Sequence, residues 1–300
     1  MALSGYYLGC PSWGLKDWVG SLYRRGTKAR DFLAQYAEVF NTVEGNTTFY
    51  SLPSAETVER WRDATPESFR FVFKLPKIVT HEKALIGAGR DVSIFLDRLL
   101  PLGERLGPFM IQLPPAFGPQ HVDRLGRFVS ALPSEHRFAI EVRHRAFYDD
   151  PGESARLEEL LAHFACERVV MDTRAMRAGD PNPPDVAVAR GRKPDLPVPE
   201  SIPGRQPLVR FVGHLDSEVN EPWIEGWAKR VARWLDEGRK PYLFAHCPND
   251  LHAPPIARRF HQLLTERLGD PAADAIDPGV LPPWPGEISE PPAVEQLSLF

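Results

Sequence analysis

Cysteine is scarce: Cys10, Cys166 and Cys247 are the only three in 300 residues. An odd number without a C-x-x-C pair indicates neither a disulfide framework nor a cysteine-based zinc site, and a reducing cytoplasm is the expected setting. Long apolar runs are missing too. Nothing approaches the ~18 residues needed to cross a bilayer, and MALSGYYLGC has neither the basic nor the apolar stretch that directs secretion, so no membrane partner is expected. There is no G-x-S-x-G elbow, Walker loop or G-x-G-x-x-G fingerprint, and hence no indicated nucleophilic serine, nucleoside triphosphate or dinucleotide site. Neither sign of charge dominates: 36 basic and 40 acidic side chains give a formal charge of −4, which argues against an outright polycationic nucleic-acid binder. The balance is uneven along the chain. No Lys or Arg follows Arg267, whereas six acids do, so the first 267 residues carry 36 − 34 = +2.

What is present is the material of a soluble globular domain, 43% hydrophobic and 25% charged. Eight short apolar or β-branched runs recur, at 6–10, 40–44, 69–75, 109–113, 138–142, 168–172, 208–212 and 241–245. Helix-period segments separate them, an alternation that predicts a parallel sheet with crossover helices. Eight such units in about 250 residues favour an α/β TIM (β/α)8-type barrel. Helix starts are readable at Thr27 before KARDFLAQYAEVF, at Ser54 before AETVERW and at Gly152 before ESARLEELLAHF. In PWIEGWAKRVARWLDEG, Ile224, Trp227, Val231 and Trp234 recur at helical spacing, which predicts packing against the barrel. Two stretches break the pattern. Eight prolines from Pro181 to Pro207, after Met176, predict a long irregular connection in place of the sixth crossover helix, either a lid or a surface excursion. Seven prolines between Asp270 and Val294, with few core-forming residues, predict a disordered acidic tether. The expected domains are therefore a barrel over 1–268, a linker over 269–295 and a terminal peptide over 296–300.

In such a barrel the C-terminal ends of the strands surround one mouth. The polar residues there are Trp13 after strand one, Glu44, Asn46 and Tyr50 after strand two, and Lys74 and His81 at and beyond strand three. Gln112 follows on strand four, Glu141 and Arg143 on strand five, Asp172 on strand six, Arg210 on strand seven, and His246, Asn249 and Asp250 at the exit of strand eight. By the two-residue repeat, Glu44 shares a face with Asn46, and Glu141 with Arg143. These groups either satisfy one another as a polar plug or form a site. Three chemistries fit a site. Glu44, Glu141 and Asp172 with His246 or His81 offer hard ligands for a divalent metal, although no H-E-x-x-H supports it. Glu44 and Glu141 offer an acid and base pair for glycoside cleavage. Lys74, Arg143 and Arg210 offer a clamp for a phosphate or carboxylate. Trp13, Asn46, Tyr50, His81, Gln112, Arg210, His246 and Asn249 would then contact substrate, with Glu44, Lys74, Glu141, Arg143 and Asp172 closest to the chemistry. Cys10 reads as a small buried apolar residue, and Cys247 beside His246 as a slightly stronger candidate thiol.

Over roughly residues 6–265 the sequence resembles the domain-of-unknown-function-72 (YecE-like) family. The motifs that carry the resemblance are Gly9-Cys-Pro-Ser-Trp13 with Trp18, Glu44-Gly-Asn46-Thr-Thr-Phe-Tyr50-Ser-Leu-Pro53 and Phe71-Val-Phe-Lys74-Leu-Pro76 with Thr80-His81. Leu106-Gly-Pro108, Gln112-Leu-Pro-Pro115 and Glu141-Val-Arg143-His144 continue the series. The resemblance implies a TIM-barrel fold and no established activity. It weakens at strands seven and eight, where Arg210-Phe-Val-Gly213-His214 and Phe244-Ala-His246-Cys-Pro-Asn249-Asp250 depart from the family's Arg-Leu-His-Gly-like and Tyr-Phe-Asn-Asn-like runs.

The chain ends Gln296-Leu297-Ser298-Leu299-Phe300, which resembles the pentapeptide that bacterial polymerases and repair proteins insert into the DNA sliding clamp. Leu297, Leu299 and Phe300 would anchor in an apolar cleft while Gln296 fixes register. Together these features predict a clamp-tethered enzyme, hydrolase-like, acting on nucleic acid or another phosphate-bearing substrate. A non-catalytic clamp-associated adaptor and a carbohydrate-active hydrolase are the alternatives.

Overall fold

The computed structural model describes residues 3–269 and 277–288. Eight strands appear within two residues of the runs read from hydropathy: β1 (Tyr7–Gly9), β2 (Thr42–Gly45), β3 (Arg70–Phe73), β4 (Phe109–Gln112), β5 (Phe138–Glu141), β6 (Glu167–Asp172), β7 (Leu208–Val212) and β8 (Tyr242–His246). The helices between and after them are α1 (Phe32–Val39), α2 (Ala55–Asp63), α3 (Gly89–Leu99), α4 (Val122–Ser130), α5 (Ala146–Asp149), α6 (Pro151–His163), α7 (Arg174–Ala178), α8 (Pro184–Arg192), α9 (Ser217–Asp236) and α10 (Ala253–Leu268). The fold is mixed α/β, and every named strand pair is parallel.

The strands form two ladders, a six-stranded sheet in the order β1-β8-β7-β6-β5-β4 and the pair β2-β3. A single continuous eight-stranded ladder was the expectation; instead the two sheets meet at sparse seams. At one seam Glu44 N donates to Cys10 O at 3.1 Å, and at the other Gly107 N donates to Phe71 O at 2.8 Å and Leu75 N to Met110 O at 3.0 Å. The first seam is crowded because β1 and β2 approach backbone to backbone: a Cβ on Gly9 would lie 2.0 Å from Thr42 O, so only glycine fits there.

Strand parity separates an inner from an outer core. Tyr7, Val72, Met110, Ala139, Val169, Leu208, Tyr242 and Phe244 form an apolar cluster apart from the main one, while Val43, Phe71, Phe73, Ile111, Ile140, Val170, Val209 and Leu243 join the helices. The alternation follows from side chains pointing to opposite faces of a strand. Helices cover the outer faces with stripes at three- and four-residue spacing, such as Val122, Leu125, Phe128 and Val129 of α4, and Ile224, Trp227, Val231 and Trp234 of α9. Each such side chain contributes about 1.5–3 kcal/mol by leaving water.

Local signals differ from the sequence reading in places. Ser54 caps α2 as expected, accepting from Thr57 N. The cap of α6 is Asp150 rather than Gly152, because its carboxylate accepts from Gly152 N and Glu153 N ahead of Pro151 at the first helical position. Helix α9 begins at Ser217, five residues before Pro222, with Asp216 accepting from Glu218 N. The connection between β6 and β7, expected to be too proline-rich for a helix, holds both α7 and α8. Proline is tolerated in a first helical turn, where its missing N–H would be unpaired anyway, and Pro184 occupies that position in α8. Val186 and Ala189 of α8 pack on Met171, Met176 and Val212.

Part of the expected tether is also seated. In 277–288, Pro278 O accepts from Ser4 N, Trp284 is 7% exposed, and Arg258 of α10 stacks 3.5 Å from its ring centroid while pairing with both oxygens of Glu287 at 2.8 Å. Trp284 supplies the apolar area that a Pro-rich acidic composition otherwise lacks. Residues 270–276 and 289–295, and the terminal peptide 296–300, lie outside the described residues. All three cysteines are buried and free, and among the described residues no helix is long and apolar enough to cross a membrane.

Candidate functional site

One step along each strand from the inner apolar cluster, the inward-facing positions become polar. Val72 is followed two residues later by Lys74, Met110 by Gln112, Ala139 by Glu141, Leu208 by Arg210 and Phe244 by His246; Glu44 on β2 completes the layer. The shared parity makes them neighbours. Arg210 lies at the centre: its Nε and Nη2 donate to Glu44 Oε2 and Oε1 at 2.8 and 2.7 Å, and its Nη1 donates to Glu141 Oε2 at 2.7 Å. Lys74 Nζ lies 3.4 Å from Glu44 Oε1, and His246 Nε2 3.1 Å from Glu44 Oε2. Arg143 Nε donates to Glu141 Oε1 at 2.6 Å and its Nη2 to Gln112 Oε1 at 3.0 Å. Above this layer lies a pocket of about 460 Å³ lined by residues that include Asn46, Tyr50, Lys74, Gln112, Arg143, Arg210 and His246.

Charge pairing outweighs burial for both inner carboxylates. Burial would push Glu44 up, but Arg210, Lys74 and His246 hold it well below the usual range; against the same burial, Arg143, Arg210 and Lys74 bring Glu141 to about 2. Both stay ionised and are poor proton donors. Burial lowers Lys74 and Arg210 lowers it further; despite Glu44 and Glu141 it titrates near 8. Burial also takes His246 down to about 4, leaving it neutral at physiological pH. Three cations (Lys74, Arg143 and Arg210) against two carboxylates leave the layer one positive charge in excess, in a setting where water screens it weakly.

A family model described as "Protein of unknown function DUF72" matches residues 7–278. The chain belongs to this family. Among curated relatives, the UPF0759 protein YecE of Escherichia coli strain K12 is 36% identical over 262 residues, covering 87% of this chain and 93% of the relative. The UPF0759 protein YunF of Bacillus subtilis strain 168 is 28% identical over 173 residues, covering 54% of this chain and 60% of the relative. A crystal structure of a DUF72 family protein from Thermotoga maritima MSB8 superposes with a TM-score of 0.67 at 24% identity, covering 86% of this chain and 98% of that one. One from Enterococcus faecalis V583 gives 0.67 at 20% identity, covering 91% and 100%. At these identities the two structures speak to the fold alone.

Other residues singled out in the sequence of this DUF72 chain fall away from the pocket. Asp172 occupies the opposite face of β6 because the inward positions there are Val169 and Met171; its carboxylate accepts from Arg174 N, Nε and Nη2, and from Trp227 Nε1 at 2.8 Å. The metal set Glu44, Glu141, Asp172 and His246 is therefore not assembled, since the Arg210 guanidinium also separates Glu44 from Glu141. Among the described residues no three His, Cys, Asp or Glu side chains cluster as metal ligands. Trp13 packs edge-on to Trp61 and Phe71, at 5.4 and 6.1 Å between centroids, on the outer face of β3. His81 sits behind Phe49, 5.1 Å between ring centroids, with Nδ1 2.8 Å from Thr80 Oγ1. Asn249 caps the turn before α10 and donates to Asp185 Oδ2 at 3.3 Å. Burial pushes the Cys247 thiol up to about 12, which makes it an unreactive thiol at neutral pH.

The pocket also has residues that strand-end reasoning missed. Helix α8 forms one wall, contributing Asp185, Val188, Ala189 and Arg192, with Lys193 just beyond its end. Their sequence signal was slight because they follow a proline cluster read as irregular. The Lys193 ammonium has no hydrogen-bond or ion-pair partner among the described residues, and burial followed by repulsion from Arg210 lowers its pKa. Asp250 lines the same pocket with its carboxylate outside any ion pair among the described residues, and burial raises its pKa although Lys193 opposes this.

Proposed function

We propose that this protein binds a phosphate-bearing substrate in the 460 Å³ pocket and hydrolyses it, that its two sheets act as one TIM-type barrel with this pocket at the C-terminal mouth, and that its last five residues tether it to the bacterial DNA sliding clamp in the cytoplasm. One observation carries the chemistry: Lys74, Arg143 and Lys193 converge on a single pocket with donor capacity left over. Among the described residues Arg143 Nη1 and the Lys193 ammonium have no hydrogen-bond or ion-pair partner, and Lys74 has only its 3.4 Å neighbour Glu44. Positive groups already fixed in place stabilise an oxyanion without reorganising at the moment of reaction. Glu44 and Glu141 serve as positioning residues that hold Arg210, Lys74 and Arg143.

The proton-transfer group is Asp250, whose raised pKa suits a general acid. Water attacks phosphorus, the ester P–O bond breaks, the leaving oxygen takes the Asp250 proton, and inorganic phosphate and an alcohol depart. The glycosidase reading loses ground because neither Glu44 nor Glu141 has the raised carboxyl that a general acid needs. For the tether, the support is the match at Gln296, Leu297, Leu299 and Phe300.

A phosphate-release screen over phosphorylated nucleosides, sugars and oligonucleotides tests the hydrolase. Asp250→Asn is expected to lower turnover by about 10²–10⁴-fold while phosphate still binds. Turnover unchanged in this variant overturns the assignment, and binding without turnover over the whole screen supports the adaptor reading instead.

A further inference from the structure

We propose that the pocket takes a single phosphorylated nucleoside, with its phosphate on Lys74, Arg143 and Lys193 and its base on the Tyr50 ring. This deepens the phosphate reading above and rests on it. The first support is size. A cavity of about 460 Å³ lies in the range of small-molecule sites, ~300–1,000 Å³.

The second support is the wall that α8 makes. This helix is held in place: Thr173 Oγ1 donates to Pro194 O at 3.0 Å, Arg177 Nη2 donates to Arg190 O and Lys193 O at 3.2 and 2.8 Å, and Val186 and Ala189 are buried on Met171 and Val212. With that side closed, the pocket suits a free nucleotide or an unstacked terminal one better than a stacked base pair, as for other enzymes that act on bases outside the stack.

The third support is an aromatic ring that, among the described residues, has no ring stacked on its faces. Tyr50 is 80% exposed at the rim of the pocket, and among the described residues its one ring neighbour is Phe49, edge-on at 5.1 Å. A ring left in water beside an anion site offers a stacking platform for a flat base. Arg192, which lines the same wall and has no ion pair among the described residues, adds a cation where the chain of a longer phosphate would run.

Calorimetric titration of the full chain separates this inference from its parent. The probes are inorganic phosphate, ribose 5-phosphate, adenosine 5′-monophosphate and a short blunt duplex. Expected is roughly tenfold tighter binding of the nucleotide than of ribose 5-phosphate, with that difference abolished in Tyr50→Ala. Lys193→Gln is expected to weaken all three small phosphates alike, and the duplex to bind no better than inorganic phosphate. If the sugar phosphate binds as well as the nucleotide, or the duplex competes with it, the nucleoside inference fails while the phosphate site stands. If no phosphate binds, or Lys193→Gln changes nothing, the parent reading fails.

Discussion

Replacing Arg210 with methionine tests the inner layer most directly. The substitution keeps much of the side-chain volume and removes three hydrogen bonds at 2.7–2.8 Å to two buried carboxylates. Removing one partner of a buried ion pair typically costs about 3–5 kcal/mol, because the remaining charge is left without compensation. Compensation is partial here: Glu141 keeps Arg143 at 2.6 Å and Glu44 keeps Lys74 at 3.4 Å, while His246 is neutral. The lower end, about 3 kcal/mol, is therefore expected, or about 6 °C in melting temperature at roughly 2 °C per kcal/mol for a chain of this size. The pH dependence gives a second readout. In the native chain Glu141 titrates near 2, below its unfolded value, so its contribution is present above the unfolded pKa and is lost only as pH falls toward 2. Without Arg210, burial is no longer opposed to the same extent and the folded carboxyls rise. A folded carboxyl raised above its unfolded value gains stability as pH falls through it, so the deficit narrows as pH falls from neutral toward the unfolded carboxyl pKa. Urea unfolding followed by tryptophan fluorescence measures both. A deficit below about 1 kcal/mol, or one that stays constant over that range, refutes the buried-charge argument.

Asp172→Asn is expected to destabilise by about 1–3 kcal/mol through its lost charged partners and to leave phosphate affinity unchanged, because Asp172 faces α9 rather than the pocket; calorimetry and urea unfolding on one preparation decide. Phosphate affinity should fall as pH rises through about 8, where Lys74 loses its proton, and Lys74→Gln should flatten that dependence in titrations on either side of this pH. Trp284→Ala should cost about 1.5–3 kcal/mol in unfolding experiments, and no loss would mean that 277–288 adds nothing to the fold. Deleting Gln296–Phe300 should abolish retention on immobilised sliding clamp while leaving phosphate binding intact, and equal retention of the shortened chain ends the tether reading.

The strands were legible because each alternates or runs apolar over a few residues between turn signals, and the same parity placed Glu44 beside Asn46 and Glu141 beside Arg143. Applied to β6, that parity also exposes the misplacement of Asp172: with Val169 and Met171 inward, its neighbour had to face out. What pattern reasoning does not reach is the partner of each polar group. Arg210 reads in sequence as one cation among several, and only three-dimensional register brings it between two carboxylates separated from it by 166 and 69 residues. Helix α8 was hidden for another reason. Proline weighs against a helix as composition, yet it is favourable at one position, the first turn, and a count of eight prolines carries no position. The seated segment 277–288 was lost in the same way, since one tryptophan meeting one arginine outweighs an acidic, proline-rich average.

The paired state of the inner carboxylates also bears on which residues do chemistry. An acid or base works best with a pKa near the working pH, and Glu44 and Glu141 have been moved the other way by the cations that hold them. Each of those ion pairs orients its cation, since an arginine fixed by two hydrogen bonds cannot swing to meet a ligand. The remaining donors on Arg143 and Lys74 are thereby aimed into the pocket before anything binds. In the proposed hydrolase, proton transfer falls to a group that burial raises and no ion pair among the described residues restrains, and Asp250 meets both conditions. If Glu141→Gln, which also loosens Arg143, lowers phosphate affinity as well as turnover while Asp250→Asn lowers turnover alone, this division between positioning and proton transfer holds. If Glu141→Gln instead abolishes turnover with affinity intact, the roles of the two carboxylates are reversed.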